Sequence, residues 1–344
     1  MFDVKFKYTD KIINNLMEIS AINEFILNSQ VMPSYDILLK NKAIITSSYN
    51  STSIEGNPLN FKQVTELFNL KENNELNKVN LNKSEIEVLN YFKTLENLDK
   101  YQKIDEKTIL EIHKKITKGT LNNPDMAGKF RQTPVIIGDL KTGKLNFVPP
   151  NPIEVPYLIR ELLDWVNIQN ELNPIILAGI FHYEFVRIHP FVDGNGRTAR
   201  ALATLILLLR NFDIKRYFSL DEYYNQDRKS YYLALQSADK SKDLTEWLEY
   251  FSAGFLDSLS NVKTDIVNMP HFNSQKSDKI ELNEKEIKIV EFIEKNDSIK
   301  NKEIQDLLNL SPQGSHLYIR KLIDKGIIKP QGKGRSTIYI LNKQ

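Results

Sequence analysis

Apolar side chains recur at helical spacing through most of the first 260 residues. Asn60-Phe61-Lys62-Gln63 has the form of a capping box, and Val64, Leu67 and Phe68 follow at i, i+3 and i+4. Comparable stripes run through Ser84 to Leu98, Lys107 to Ile116, Pro156 to Asn167 and Ile176 to Ile188. Ala201 to Leu209 is apolar on every side, which predicts a helix at the middle of a bundle. The helical rule breaks once. Val135-Ile136-Ile137-Gly138 and Leu145-Asn146-Phe147-Val148 flank a Gly-rich turn, and Pro149-Pro150 closes the second run, which predicts a hairpin.

The pattern changes again after residue 267. Residues 268–280 lack apolar periodicity and contain Pro270 and two serines, Ser274 and Ser277, the composition of a linker. Beyond it, Asn283 with Glu286 caps a helix striped by Ile287, Val290 and Ile293. A short helix over Lys302–Leu308 is expected to bury Ile304, Leu307 and Leu308. Ser311-Pro312 then opens a third helix that buries Ile319, Leu322 and Ile323 and stops at Gly326. Ile327-Ile328-Lys329, a turn at Gly332-Lys333-Gly334 and Thr337 to Leu341 form a second hairpin. Three helices and a terminal hairpin resemble a winged helix-turn-helix. The boundaries expected are 1–105 for an N-terminal helical region, 106–267 for a helical core and 281–344 for the winged helix.

Composition narrows the chemistry. Cysteine is absent, which excludes disulfides, thiolate metal sites and cysteine nucleophiles and agrees with a reducing cytoplasm. No apolar run reaches the roughly 20 residues of a membrane span, and the first residues lack a signal-peptide block, so a cytoplasmic protein without membrane contact is expected. The net charge is only +2. Positive charge is concentrated at the end, where Arg320, Lys321, Lys325, Lys329, Lys333, Arg335 and Lys343 face Asp324 alone after Ser311. That excess suits DNA phosphates, with Gln313, Ser315 and His316 as candidates for base contacts.

Residues 189–200 read His-Pro-Phe-Val-Asp-Gly-Asn-Gly-Arg-Thr-Ala-Arg. Pro190 disfavours continuation of the preceding helix, Asp193 to Gly196 form a turn, and an apolar helix resumes at Arg197. A helix N-terminus offers free N–H groups to an anion, and two arginines a turn apart add guanidinium donors. Asp193 is a hard oxygen ligand suited to Mg²⁺, and His189 is the nearby group able to accept a proton near neutrality. Two decoys fall away. Gly138 to Lys144 spells Gly-x-x-x-x-Gly-Lys, but Leu145 stands where a phosphate-binding loop needs Ser or Thr; and His182 and His189 lack a zinc-protease core.

The twelve residues resemble the signature of Fic-family AMP transferases, with no specified position missing. That resemblance implies a mainly α fold: a helical bundle with a β-hairpin flap, here followed by the winged helix. It implies that His189 deprotonates a target Ser, Thr or Tyr hydroxyl, and that Asp193 holds Mg²⁺. Gly194, Asn195 and Gly196 would cradle the phosphates of ATP, with Arg197 and Arg200 at the β/γ end, while Phe191 anchors the loop. The hairpin, at Val135, Ile136, Ile137 and Gly138, is similar to the family's flap, and Tyr231 and Tyr232 stand where relatives carry an aromatic pair beside adenine. Ser51-Thr52-Ser53-Ile54-Glu55-Gly56 resembles the family's inhibitory pattern, so Glu55 is expected to pair with Arg200, with Ser51 and Gly56 completing the motif. The expected partners are ATP and a protein carrying the target hydroxyl; a homodimer and DNA are further candidates. Two alternatives stay open at this point, a DNA-binding regulator and an enzyme that mainly removes AMP.

Overall fold

The computed structural model describes residues 4–139, 144–212, 214–269, 282–332, 334 and 337–342. The expected linker, Lys333, Arg335 and Lys343 lie wholly or mainly outside them. The chain divides into two compact units, Met1–Asn28 with Lys40–Lys263, and Ser29–Leu39 with Thr264–Gln344.

Helices α1 (Asp10–Asn28), α2 (Pro33–Ile54), α3 (Phe61–Glu72), α4 (Lys83–Glu96) and α5 (Glu106–Ile116) come first. A hairpin of β1 (Ile137–Asp139) and β2 (Lys144–Phe147) follows, then α6 (Val155–Ile168), α7 (Pro174–Ile188), α8 (Asn195–Leu209), α9 (Leu220–Gln226), α10 (Arg228–Ser241) and α11 (Thr245–Val267). The capping box predicted at Asn60 forms, with Asn60 accepting from the Gln63 N–H and Gln63 accepting in return. The core of the first unit is the antiparallel pair α7 and α8, buried along almost their whole circumference. That follows from sequence, because neither helix has a polar face broad enough to be solvated. Around the pair stand α4, α5 and α6. Helix α11 approaches α7 closely at Gly179, whose carbonyl accepts from the Trp247 indole N–H at 2.8 Å; a Cβ at 179 would press on Leu248 and Phe251.

The flap hairpin is shorter than the sequence suggests. Ile137 pairs with Phe147, Gly138 with Leu145 and Asp139 with Lys144, with a bulge between Ile137 and Gly138. Val135 and Ile136 precede the first strand, and Ile136 is exposed. A run of β-branched residues does not make a strand where no partner strand lies opposite.

In the second unit, α12 (Glu284–Asn296), α13 (Asn301–Leu308) and α14 (Pro312–Asp324) precede β3 (Ile328–Gln331) and β4 (Ile338–Leu341). Ile289, Val290, Ile293, Ile299, Ile304, Ile319, Leu322 and Ile328 form its core, and Met32 packs against them. Ile299 bonds the backbone of Tyr339 in both directions, adding a third strand position beside the wing. Three expectations are corrected. Ile289, fully buried, leads the α12 stripe while Ile287 is only partly covered; Leu307 is exposed; and Ser315 is buried against Asn301, to which its hydroxyl donates at 2.6 Å, so it cannot reach a base edge. Lys325 pairs with buried Glu286 at 2.8 Å and is therefore committed to the fold.

Candidate active site

The loop between α7 and α8 is held from below by residues distant in sequence. Phe191 is fully buried, and its ring stacks on His113 of α5 with centroids 3.6 Å apart and planes within 5°. The Gly128 N–H donates to His113 Nδ1 at 2.9 Å, so the proton of this neutral ring is on Nε2, which donates to the Asp193 carbonyl at 2.9 Å. Burial pushes the His113 pKa down to about 4, which keeps that tautomer in place at neutral pH. Asn195 closes the loop from within, its side chain accepting from the Phe191 N–H at 2.9 Å and donating to the Phe191 carbonyl at 2.8 Å. Its side-chain amide is thus occupied in shaping the loop. Gly194 has φ +80°, and a Cβ there would strike the Thr117 methyl group, so glycine is required on both counts.

His189 terminates α7 in the left-handed region, φ 50° and ψ 61°. That conformation is sparsely populated for a non-glycine residue and turns the ring toward a cavity of about 520 Å³. Nδ1 lies 3.4 Å from the Val186 carbonyl, a contact in which the carbonyl can only accept, which leaves the Nε2 lone pair for a substrate proton. Burial brings the His189 pKa down to about 4, so the ring is unprotonated at neutral pH.

The cavity is lined by His189, Gly196, Arg200, Glu55, Tyr231 and Tyr232, with Ile137, Gly138 and Phe147 of the hairpin over it. Val135 and Ile136 are not among its lining residues. Arg200 is buried. Its Nε–H donates to Ser51 Oγ at 2.8 Å, and Nη2 donates to the Ser51 carbonyl at 2.9 Å and to Glu55 Oε1 at 2.8 Å. Asp221, also buried, lies 3.1 Å from Nε. Burial by itself would favour a neutral guanidine, but the negative charge of Glu55 and Asp221 reverses that and holds Arg200 charged. Glu55 follows the last turn of α2, with Gly56 at φ +91°. The Glu55 carboxylate lies so close over Gly196 that any Cβ there would collide with Oε1. An anionic group therefore already occupies the N-terminal end of α8 beside Arg200.

Arg197 sits elsewhere. It is buried behind the loop, 3.3 Å from Asp193 Oδ1 and 3.8 Å from Glu87, and does not line the cavity. The Asp193 side chain is about half exposed. Among the described residues no group of three acidic or histidine side chains could hold a metal by itself. A Mg²⁺ at Asp193 would therefore take its other ligands from phosphates and water, a pattern that suits this ion. Tyr231 is buried, its hydroxyl 2.9 Å from His182 Nε2, whereas Tyr232 is partly exposed at the cavity wall. Sequence reasoning missed His113, Arg131, Asp221 and Glu87 as parts of this architecture. Of these only His113 leaves a trace, a polar residue inside the Ile109, Ile112, Ile116 stripe.

The sequence profile of the Fic/DOC family matches residues 103–207. These residues are a Fic domain. A profile described as winged helix-turn-helix DNA-binding matches residues 282–329. The protein adenylyltransferase Fic of Drosophila grimshawi is 31% identical over 180 residues, which is 49% of this chain and 34% of the relative. The chain thus spans about a third of the length of the curated relatives it matches. The crystal structure of a Fic family protein from Desulfovibrio desulfuricans G20 superimposes with a TM-score of 0.69 at 24% identity, covering 100% of this chain and 99% of that one. Fic-1 from C. elegans, residues 134–508, gives a TM-score of 0.55 at 23% identity, covering 74% and 72%. At these identities the superpositions establish the fold, a mainly helical Fic fold with a C-terminal winged helix. No described helix is long and apolar enough to cross a membrane.

Proposed function

We propose that the protein transfers AMP from ATP to a hydroxyl of a protein, in a site held back by Glu55. The observation that carries this reading is Arg200 facing the same cavity as His189 while bonded to Glu55 at 2.8 Å. In the reaction, His189 Nε2 accepts the proton of a target Ser, Thr or Tyr hydroxyl. The hydroxyl oxygen bonds to the α-phosphorus, the bond from that phosphorus to the bridging oxygen breaks, and pyrophosphate leaves. Arg200 and the N–H groups opening α8 bind the departing phosphates. Asp193, a half-exposed carboxylate of the loop, would hold Mg²⁺, which when bound would neutralise phosphate charge. Glu55 competes with the terminal phosphate for Arg200, so ATP settles only after that carboxylate withdraws. The likeness to adenylyltransferases over half of the chain supports the same reaction class.

Incorporation of α-labelled AMP is the test. Glu55→Gly removes a charge-assisted hydrogen bond worth about 1.5–3 kcal/mol and should raise the rate roughly 10- to 100-fold. His189→Ala in that background should lower it by about 10²-fold or more. Label that enters the Glu55→Gly, His189→Ala chain as fast as the Glu55→Gly chain would remove His189 as the base.

A second reading concerns the tail. The match to a profile of DNA-binding winged helices and the exposed Arg320 and Lys321 of α14 favour duplex DNA as a partner. A salt-dependent mobility shift with nonspecific duplex is expected, and no shift at low salt would remove the reading.

A further inference from the structure

A fully buried arginine whose charge faces only carbonyl oxygens lies under the loop. The Arg131 Nε–H donates to the His189 carbonyl at 2.8 Å, and Nη2 donates to the Pro150 carbonyl at 2.6 Å and lies 3.5 Å from the Ile188 carbonyl. Nη1 reaches the Thr133 carbonyl at 3.4 Å, and the Arg131 backbone N–H donates to the Pro190 carbonyl at 2.9 Å. Among the described residues no carboxylate stands within ion-pair distance of it. A cation buried without an anion is costly unless dipoles replace the water it lost. Here they do, because the carbonyls that end α7 point at the guanidinium and carry the negative end of the helix dipole.

The geometry has one further property. Thr133 and Pro150 are the two roots of the hairpin, and Ile188, His189 and Pro190 are the turn that aims the catalytic ring. One planar fork spans both. His189 is held in the left-handed region, where the backbone would relax unless its surroundings fixed it, and its own carbonyl is the one bonded by Nε. We propose that Arg131 is a positioning residue that locks the backbone of His189 and ties it to both ends of the hairpin, so that base and target-aligning strand keep a fixed relation. Lysine keeps the charge but not the fork, since a single ammonium cannot reach the separate carbonyls bonded by Nε, Nη1 and Nη2. The role in transfer rests on the AMP-transfer reading; the backbone lock does not.

The test uses the full chain with Glu55→Gly, alone and with Arg131→Lys or Arg131→Ala. AMP incorporation into the chain itself, ATP affinity by calorimetry and the imidazole resonances of labelled histidines are measured. Arg131→Lys should lower incorporation by roughly 10- to 100-fold, the loss expected of a misaimed base, and shift the His189 resonances. ATP affinity and the signals of His113 and His182 should hold. Arg131 borders an open cleft with Gln132, Pro134, Asn151 and Pro156, so the space left by Arg131→Ala is reachable from solvent. Millimolar guanidinium should therefore restore part of the rate and return the His189 resonances toward their original positions. Unchanged His189 signals and rate in Arg131→Lys would overturn the inference. So would a loss shared equally by ATP affinity and all three histidines with no guanidinium response, the mark of a general packing role. If the Glu55→Gly chain itself incorporates no AMP, the proposed function fails, and the His189 resonances with their guanidinium response alone decide the role of Arg131.

Discussion

Gly196 states the chemistry of the site at the scale of one residue. It opens the first turn of α8 and lines the cavity, and a Cβ there would run into Glu55 Oε1 and crowd Arg200 Nη1. On the proposed function, the same closeness that admits the Glu55 carboxylate would admit a phosphate oxygen once that carboxylate withdraws. Gly196→Ala should accordingly abolish AMP incorporation even in the Glu55→Gly background, where the brake is already gone. If that double variant incorporates label as fast as Glu55→Gly alone, phosphate does not approach the chain at Gly196. Two arginines of the motif look alike in sequence and end differently. Arg200 faces the cavity, whereas Arg197 is enclosed with Asp193 and Glu87. Spacing one turn apart places both on neighbouring lines of a helix, but only the packing around α8 decides which line meets the cavity.

At the scale of elements, the loop joining α7 and α8 is a small structure with its own fasteners. Asn195 spans the Phe191 backbone with two bonds, His113 stacks on the Phe191 ring and bonds the Asp193 carbonyl, and Arg131 takes the carbonyls before and at His189. Asn195→Ala leaves a buried N–H and a buried C=O without their partner and should cost about 2–4 kcal/mol, read as a lower urea midpoint at unchanged slope. A change within experimental error would show that the loop finds other partners. The helices themselves were legible, because amphipathic spacing and capping residues are local signals. So was the loop, a contiguous motif whose residues must stand together. His113 lies 80 residues from the carbonyl it bonds and Arg131 lies 58 from His189. A long-range polar contact leaves no periodicity behind, so sequence could not supply either. The edges of the flap and the inward face of α12 slipped for a related reason. Val135 and Ile136 have strand propensity without a partner strand, and Ile287 shares a stripe with residues that tertiary packing prefers.

At the scale of the whole molecule, buried His113 and His182 and partly buried His189 make stability depend on pH. Burial lowers the pKa of His113 to about 4, of His182 to about 3 and of His189 to about 4. The unfolded chain takes up these protons near the ordinary value of 6.5, well before the folded chain does. Stability is therefore intact above about 6.5 and falls as pH drops toward 4 and, for His182, toward 3. Each group contributes up to about 1.4 kcal/mol per pH unit within its window. Raised carboxylates at Glu184, Asp221 and Asp239 act with the opposite sign, so a single histidine is best isolated by difference. His182→Gln can keep a donor toward Tyr231 and removes one titration. Its unfolding free energy, from urea titrations between pH 7 and pH 4, should decline less steeply than that of the wild type. Parallel curves would mean that His182 is not held neutral. In chain order, α2 begins among residues of the second unit and ends beside Glu55 in the first.

On the proposed function, one carboxylate, Glu55, holds a competent site off. Intact mass spectrometry of the wild-type chain and of Glu55→Gly, each incubated with ATP and Mg²⁺, addresses it without knowledge of the target. A mass increase of one AMP should accumulate faster and further in Glu55→Gly than in the wild type. Equal modification of the two chains, or none in either, would contradict it.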